Sequence, residues 1–159
     1  FRRVLFRSNS EGDLNGVLKA EGLPLIEHLE NHQPIQSFLT MQGNDVFRFA
    51  VRVLKESIEQ VLELAQLSID DIDLIIPHQA NLRIINHVAK KMKVDISKFY
   101  VNLQDYGNTS AASIPIAYAL ARQEGLIDEH KRIILVGFGS GLTYGATLID
   151  KAGGENDVK

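Results

Sequence analysis

Apolar residues recur along the chain at two different spacings, and the switch between them lays out the expected elements. Phe47, Ala50, Val53, Leu54, Ile58, Val61, Leu62 and Ala65 step by three and four, which predicts a long amphipathic helix capped by Asn44. Ser68-Ile69-Asp70-Asp71 has the form of a capping box and predicts one short turn. Ile72 to Ile76 is a short apolar run of the buried-strand kind, and Pro77, lacking an N–H for a ladder, is expected to stop it. Helical spacing returns from Asn81 to Met92, with Leu82, Ile85, Val88, Ala89 and Met92 facing inward. Tyr100 to Leu103 predicts a second strand. A helix to about Glu124 follows QDYGNTSAAS, with Pro115 near its first turn and Gly125 as its C-cap. Ile133 to Val136 predicts a third strand, GFGSG a turn, and Leu142 to Ile149 a fourth. Asn9 to roughly Thr40 has little sustained period and reads as a loop-rich surface segment with one short helix around Leu25 to Leu29.

Strands alternating with helices predict an α/β layer with mainly parallel pairing, closed by one antiparallel hairpin. In such a sheet the loops after the carboxyl ends of the strands gather on one edge, where ligands bind. Three of those loops here carry polar or glycine-rich sequence: PHQAN, YGNTSAAS and GFGSG. Each has a structural reading beside a chemical one. His78 is either satisfied by nearby backbone or is a donor and acid–base group, its unperturbed pKa being about 6.5. Asn108 suits a Gly-Asn turn as well as it suits an amide donor. TSAAS supplies small side chains that let a helix approach a sheet. GFGSG is no dinucleotide fingerprint, because its spacing is G-x-G-x-G and a strand follows it. It is a hairpin turn or a source of exposed backbone N–H groups. Taken together, a histidine, an amide and a glycine-rich backbone on one edge can hold a carbonyl oxygen as it becomes negative.

Composition narrows the chemistry. The 159 residues suffice for one domain with a core, and 45% hydrophobic with 23% charged residues is ordinary for a soluble protein. A net charge of −3 argues against nucleic acid as a partner, and no apolar stretch is long enough to span a membrane. There is no cysteine, hence no thiolate chemistry from these residues. No metal-ligand set and no complete nucleophile triad is visible. The opening FRRVLFRS, with Arg2, Arg3 and Arg7 among apolar residues, has two readings: a short amphipathic targeting segment, or a non-native stretch of the kind a sequencing-adapter frame encodes. The second is preferred, giving a non-native segment 1–8, a domain 9–150 and a polar tail 151–159.

PHQANLRII, YGNTSAASIP and GFGSGLTYGATLI resemble the C-terminal half of β-ketoacyl-[acyl-carrier-protein] synthase III, a thiolase-superfamily condensing enzyme. MQGNDVFRFAV and SEGDLNGVL resemble neighbouring parts of the same half, so the match runs in unbroken order from about Ser10 to Ile149. The resemblance implies a thiolase-like α/β fold, a mixed sheet with helices on both faces. It implies an acyltransferase that joins an acyl-CoA, commonly acetyl-CoA, to malonyl-carrier protein with loss of CO₂, starting fatty acid biosynthesis. By that resemblance His78 and Asn108 are the decarboxylation pair, and the backbone N–H of Ser140 lies at the oxyanion-hole position, where the family often has glycine. Gly43, Asn44, Phe47 and Asn81 match positions lining a pantetheine tunnel. Arg48, Arg83, Lys90 and Lys91 flank its mouth, either as a solvated helix face or as a basic cluster that meets acyl carrier protein. The family uses no cofactor beyond its thioester substrates; it is cytoplasmic and forms a homodimer. Its nucleophilic cysteine belongs to an N-terminal half missing here, so these residues alone are expected to be inactive and to expose an apolar face. Two alternatives remain: half of a type III polyketide or related thiolase-fold synthase, and a non-catalytic thiolase-like binding subunit.

Overall fold

The computed structural model describes residues 3–13, 15–20, 39–127 and 132–151. Its centre is a four-stranded sheet of β1 (Arg3–Ser10), β6 (Thr143–Asp150), β5 (Arg132–Gly139) and β4 (Leu74–Pro77), in that spatial order. A two-stranded ribbon of β2 (Leu18–Ala20) and β3 (Leu39–Met41) stands apart from it. Between the strands lie α1 (Gly43–Ala65), α2 (Leu82–Met92), the single turn α3 (Leu103–Tyr106) and α4 (Ser113–Gln123).

Alternation along the strands sorts their side chains onto two faces. Ile75, Ile134, Val136, Ala146 and Leu148 turn toward α1 and α2, whereas Leu74, Ile76, Ile133 and Ile149 turn toward Ala117 and Ala121 of α4. The sheet therefore carries helices on both faces, as the sequence implies. The α1 stripe is buried from Ala50 to Ala65 as its spacing predicts, Val46, Phe49 and Val51 join it, and Phe47 is only half-buried. Leu54, Ile58 and Val61 are almost wholly buried, each contributing about 1.5–3 kcal/mol by leaving water.

Several local expectations change. Parallel pairing does not dominate, because only β4 and β5 run parallel while β5–β6 and β1–β6 are antiparallel. Residues 3–10, for which the spacing predicts no element, form β1 and pair with β6 from Arg3–Asp150 to Ser10–Thr143. The strand expected at Tyr100–Leu103 shrinks to one parallel bridge between Phe99 and Ile75, since Leu103 already begins α3. Pro77 is the last residue of β4, and the ladder continues one step beyond it through His78 N–H, which donates to Val136 O at 2.8 Å. Alternate residues of a parallel strand direct their N–H groups to opposite sides, so the N–H that Pro77 lacks is not one β5 needs. Asn44 lies inside the first turn of α1, with Gln42 at the cap. Leu82, expected inward, is exposed, because the inward arc of α2 is centred on Ile84, Ile85, Val88 and Ala89. The capping box at Ser68 forms, Asp71 Oδ2 accepting from Ser68 N–H at 2.8 Å, and Gly125 follows α4 at φ +75°. The short helix expected at Leu25–Leu29 and the tail beyond residue 151 lie outside the described residues.

Candidate active site

The polar residues after β4 divide into three jobs. Gln79 is structural: 1% exposed, it donates from Nε2 to Pro77 O (2.9 Å) and Tyr100 O (3.1 Å) and accepts from Asn102 N–H (3.2 Å). One amide thus stitches the β4–α2 turn to the segment that leads to Asn108. Asn81 caps α2, its Oδ1 accepting from Arg83 N–H at 2.8 Å. His78 alone of the three presents a titratable group to open space. Its ring meets Phe138 edge-on at 5.5 Å, its Nδ1 lies 2.6 Å from Ser113 Oγ, and it lines a cavity of about 750 Å³. Burial holds the His78 pKa below its ordinary value of 6.5, which favours the neutral ring.

Asn108 comes from the loop between α3 and α4 and lines the same cavity. Its Oδ1 accepts from Ser110 N–H at 3.0 Å in an Asx turn, with Ser110 itself at φ +52°. That tether uses the acceptor end of the carboxamide and leaves the Nδ2 hydrogens as its outward chemistry. Ser140, in the β5–β6 turn, also lines the cavity, and its hydroxyl donates to Leu18 O at 2.8 Å. The hydroxyl is thereby committed to holding the turn against β2, so any contribution to a ligand falls to the backbone.

Of the remaining sequence candidates, Gly43, Asn44, Phe47, Asn81 and Arg83 line this cavity too. The Arg83 guanidinium lies over the Phe47 ring, 5.7 Å from its centroid. Arg48 faces elsewhere, ion-paired with Asp45 at 2.6 Å, and lines a separate shallow depression together with Lys91. Lys90 lines neither and is exposed on the last turn of α2. Thus the three polar segments come together at one cavity, Gly137 to Gly139 of GFGSG as the end of β5 rather than as turn, and the basic cluster does not share it as a unit. No group of three or more potential metal ligands occurs among the described residues.

Several cavity residues escape the sequence reading. Leu39 and Met41 of β3 supply apolar wall, as do Ile114 and Phe138. Phe138 had a visible signal, lying between the glycines of GFGSG, but nothing local says which way its ring points. Gly137 is needed for close approach: a Cβ there would sit 3.2 Å from Ile114 Cδ1 and 3.7 Å from His78 Cβ.

The model of the family described as 3-Oxoacyl-[acyl-carrier-protein (ACP)] synthase III C terminal matches residues 62–151, more than half of the chain. The chain belongs to this family. Both α2 and α4, and the loops bearing His78, Asn108 and Ser140, fall within the matched part of this synthase III C-terminal domain. A Clostridium tetani β-ketoacyl-[acyl-carrier-protein] synthase III is 54% identical over 123 residues, covering 77% of this chain and 35% of the relative. The solved 3-oxoacyl-[acyl-carrier-protein] synthase III of Aquifex aeolicus superposes with a TM-score of 0.78 at 40% identity, over 91% of this chain and 43% of the other. A priming β-ketosynthase of the R1128 polyketide pathway superposes at 0.80 with 29% identity, over 91% and 43%. The chain spans between about a third and a half of the length of the curated relatives it matches. The fold is thiolase-like, with the mixed α/β sheet described above.

Proposed function

We propose that this chain is the decarboxylation half of a synthase III that condenses an acyl-CoA, commonly acetyl-CoA, with malonyl-carrier protein to start fatty acid biosynthesis. In that reaction the bond to the malonyl carboxylate breaks, CO₂ leaves, and its electron pair moves into an enolate on the thioester. The enolate carbon then attacks the acyl thioester, which releases the enzyme thiolate. His78 and Asn108 are the donors to the enolate oxygen, and Ser140 N–H serves the oxyanion of the acyl transfer. The observation that carries this reading is that His78 and Asn108 line one cavity, the carboxamide oxygen being already tied to Ser110 N–H. Neutral donors fixed in place stabilise charge that water would have to reorganise to meet. Gly43, Asn44, Phe47 and Asn81 line the path of the thioester's pantetheine arm.

The thiolate must come from residues beyond these 159, which hold no cysteine, so the isolated chain is inactive in condensation. The substrates are thioesters and no further cofactor takes part; the completed enzyme is a cytoplasmic dimer. A polyketide-priming synthase is the second reading, supported by the R1128 likeness, though identity to it is 29% against 54% for the synthase III relative.

The deciding experiment combines this chain with a cysteine-bearing N-terminal half and measures CO₂ release from malonyl-carrier protein. Asn108→Asp keeps an oxygen for the Ser110 tether but removes the N–H donors. It and His78→Ala are each expected to lower the rate on the order of 10²-fold or more. Undiminished decarboxylation in both variants would overturn the assignment.

A further inference from the structure

Ser113 opens α4 and is 2% exposed. Its hydroxyl stands between two neighbours: Gln79 N–H donates to Oγ at 3.3 Å, and His78 Nδ1 lies 2.6 Å away. A backbone N–H can only donate, so the oxygen accepts on the Gln79 side and its own proton remains to be placed. Among the described residues the other hydrogen-bond partner of Oγ is His78 Nδ1. Were Nδ1 protonated, Oγ would accept twice and the hydroxyl proton would be buried without that acceptor, an unfavourable arrangement. The close approach is built in, because Gly137 leaves room for Ile114, the residue after Ser113, beside His78.

We propose that Ser113 is a positioning residue that fixes the tautomer of His78, its hydroxyl donating to Nδ1 so that the ring carries its proton on Nε2. Gln79 N–H sets the direction of that hydroxyl, and the neutral ring then offers the cavity a donor. The functional meaning rests on the reading of His78 as an enolate donor, whereas the tautomer is a property of the chain itself. A serine that by sequence is one more small residue in TSAAS thereby decides which end of the imidazole is acid.

The test is long-range proton–nitrogen correlation NMR of the ¹⁵N-labelled chain at a pH where the ring is neutral, His78 being assigned by the signals lost in His78→Gln. The parent is expected to show an unprotonated, pyridine-type Nδ1 and a protonated Nε2. Ser113→Ala should lose that pattern for a mixed or Nδ1–H population, and Ser113→Thr, which keeps a hydroxyl, should restore it. In the completed enzyme Ser113→Ala should lower kcat for decarboxylation with little change in KM. An Nδ1–H tautomer in the parent overturns the proposal, as does an unchanged pattern in Ser113→Ala. Should that variant not fold, the parent spectrum and Ser113→Thr still decide. Loss of this result leaves the decarboxylation assay untouched. Conversely, an unaffected His78→Ala enzyme would overturn the function and leave the tautomer standing.

Discussion

At the scale of single residues, the chemistry depends on groups whose useful ends are left over after the fold has taken the others. Asn108 gives its oxygen to Ser110 N–H, Ser140 its hydroxyl to Leu18 O, and Gln79 all of its amide to the backbone. His78 differs in being titratable, and its burial has a thermodynamic signature. The folded-state pKa lies below the ordinary 6.5, so between the two values the unfolded chain binds a proton that the folded chain refuses. Stability contributed at this site is therefore present above 6.5 and is lost as pH falls through the folded pKa. Denaturant midpoints measured across that acid range should fall more steeply for the parent than for His78→Gln. Parallel profiles would show that the ring is not held neutral by the fold. The same sign places the acid limb of the completed enzyme's activity below pH 6.5. His78 is legible as a candidate because a polar side chain at the end of a buried strand stands out, and Asn108 because its GNTSAAS segment carries the family resemblance. Gln79 and Ser113 are not, since their partners are up to 35 positions away in sequence.

At the scale of elements, periodicity predicts what is buried on one face and fails where pairing decides. The stripe of α1 and the alternation of β4 and β5 are written in local sequence because each must hide an apolar surface. The segment at Tyr100 reads as a strand for the same reason, yet it makes one bridge to Ile75 before Asn102 turns into α3. Strand β1 is the reverse case. All but one of its residues are exposed, with only Leu5 packing against the core, while its backbone pairs along the full length of β6. Hydrogen bonds without burial hold a strand weakly. Amide exchange should accordingly be faster in β1 than in β5, whose Ile133, Ile134 and Val136 are buried. Protection in β1 equal to that in β5 would mean that this edge is held by more than its ladder.

At the scale of the whole molecule, the cavity joins elements far apart in the chain: β3, the start of α1, the turns after β4 and β5, and the loop before α4. The two arginines expected at its mouth divide. Arg83 lines the cavity and stacks on Phe47, whereas Arg48 is already paired with Asp45. In the proposed enzyme the acidic carrier protein should therefore depend more on the first than on the second. Arg83→Glu in the completed enzyme is expected to weaken carrier binding several-fold and to flatten its salt dependence, with a smaller change for Arg48→Glu. Binding isotherms at low and high salt measure this, and equal effects of the two reversals would remove Arg83 from the interface.

By itself the sequence determined the helix and strand faces, the family to which the chain belongs, and the three polar turns from which a site could be made. Those are local properties, set by spacing, turn chemistry and motif. The tertiary structure alone decided which strands run parallel, that β1 closes the sheet edge, and that the three polar segments line one cavity while the basic residues divide. It also decided that a serine on α4 meets the imidazole after β4. Contacts of that kind depend on how distant segments pack against one sheet, and no periodicity along the chain encodes the distance between them.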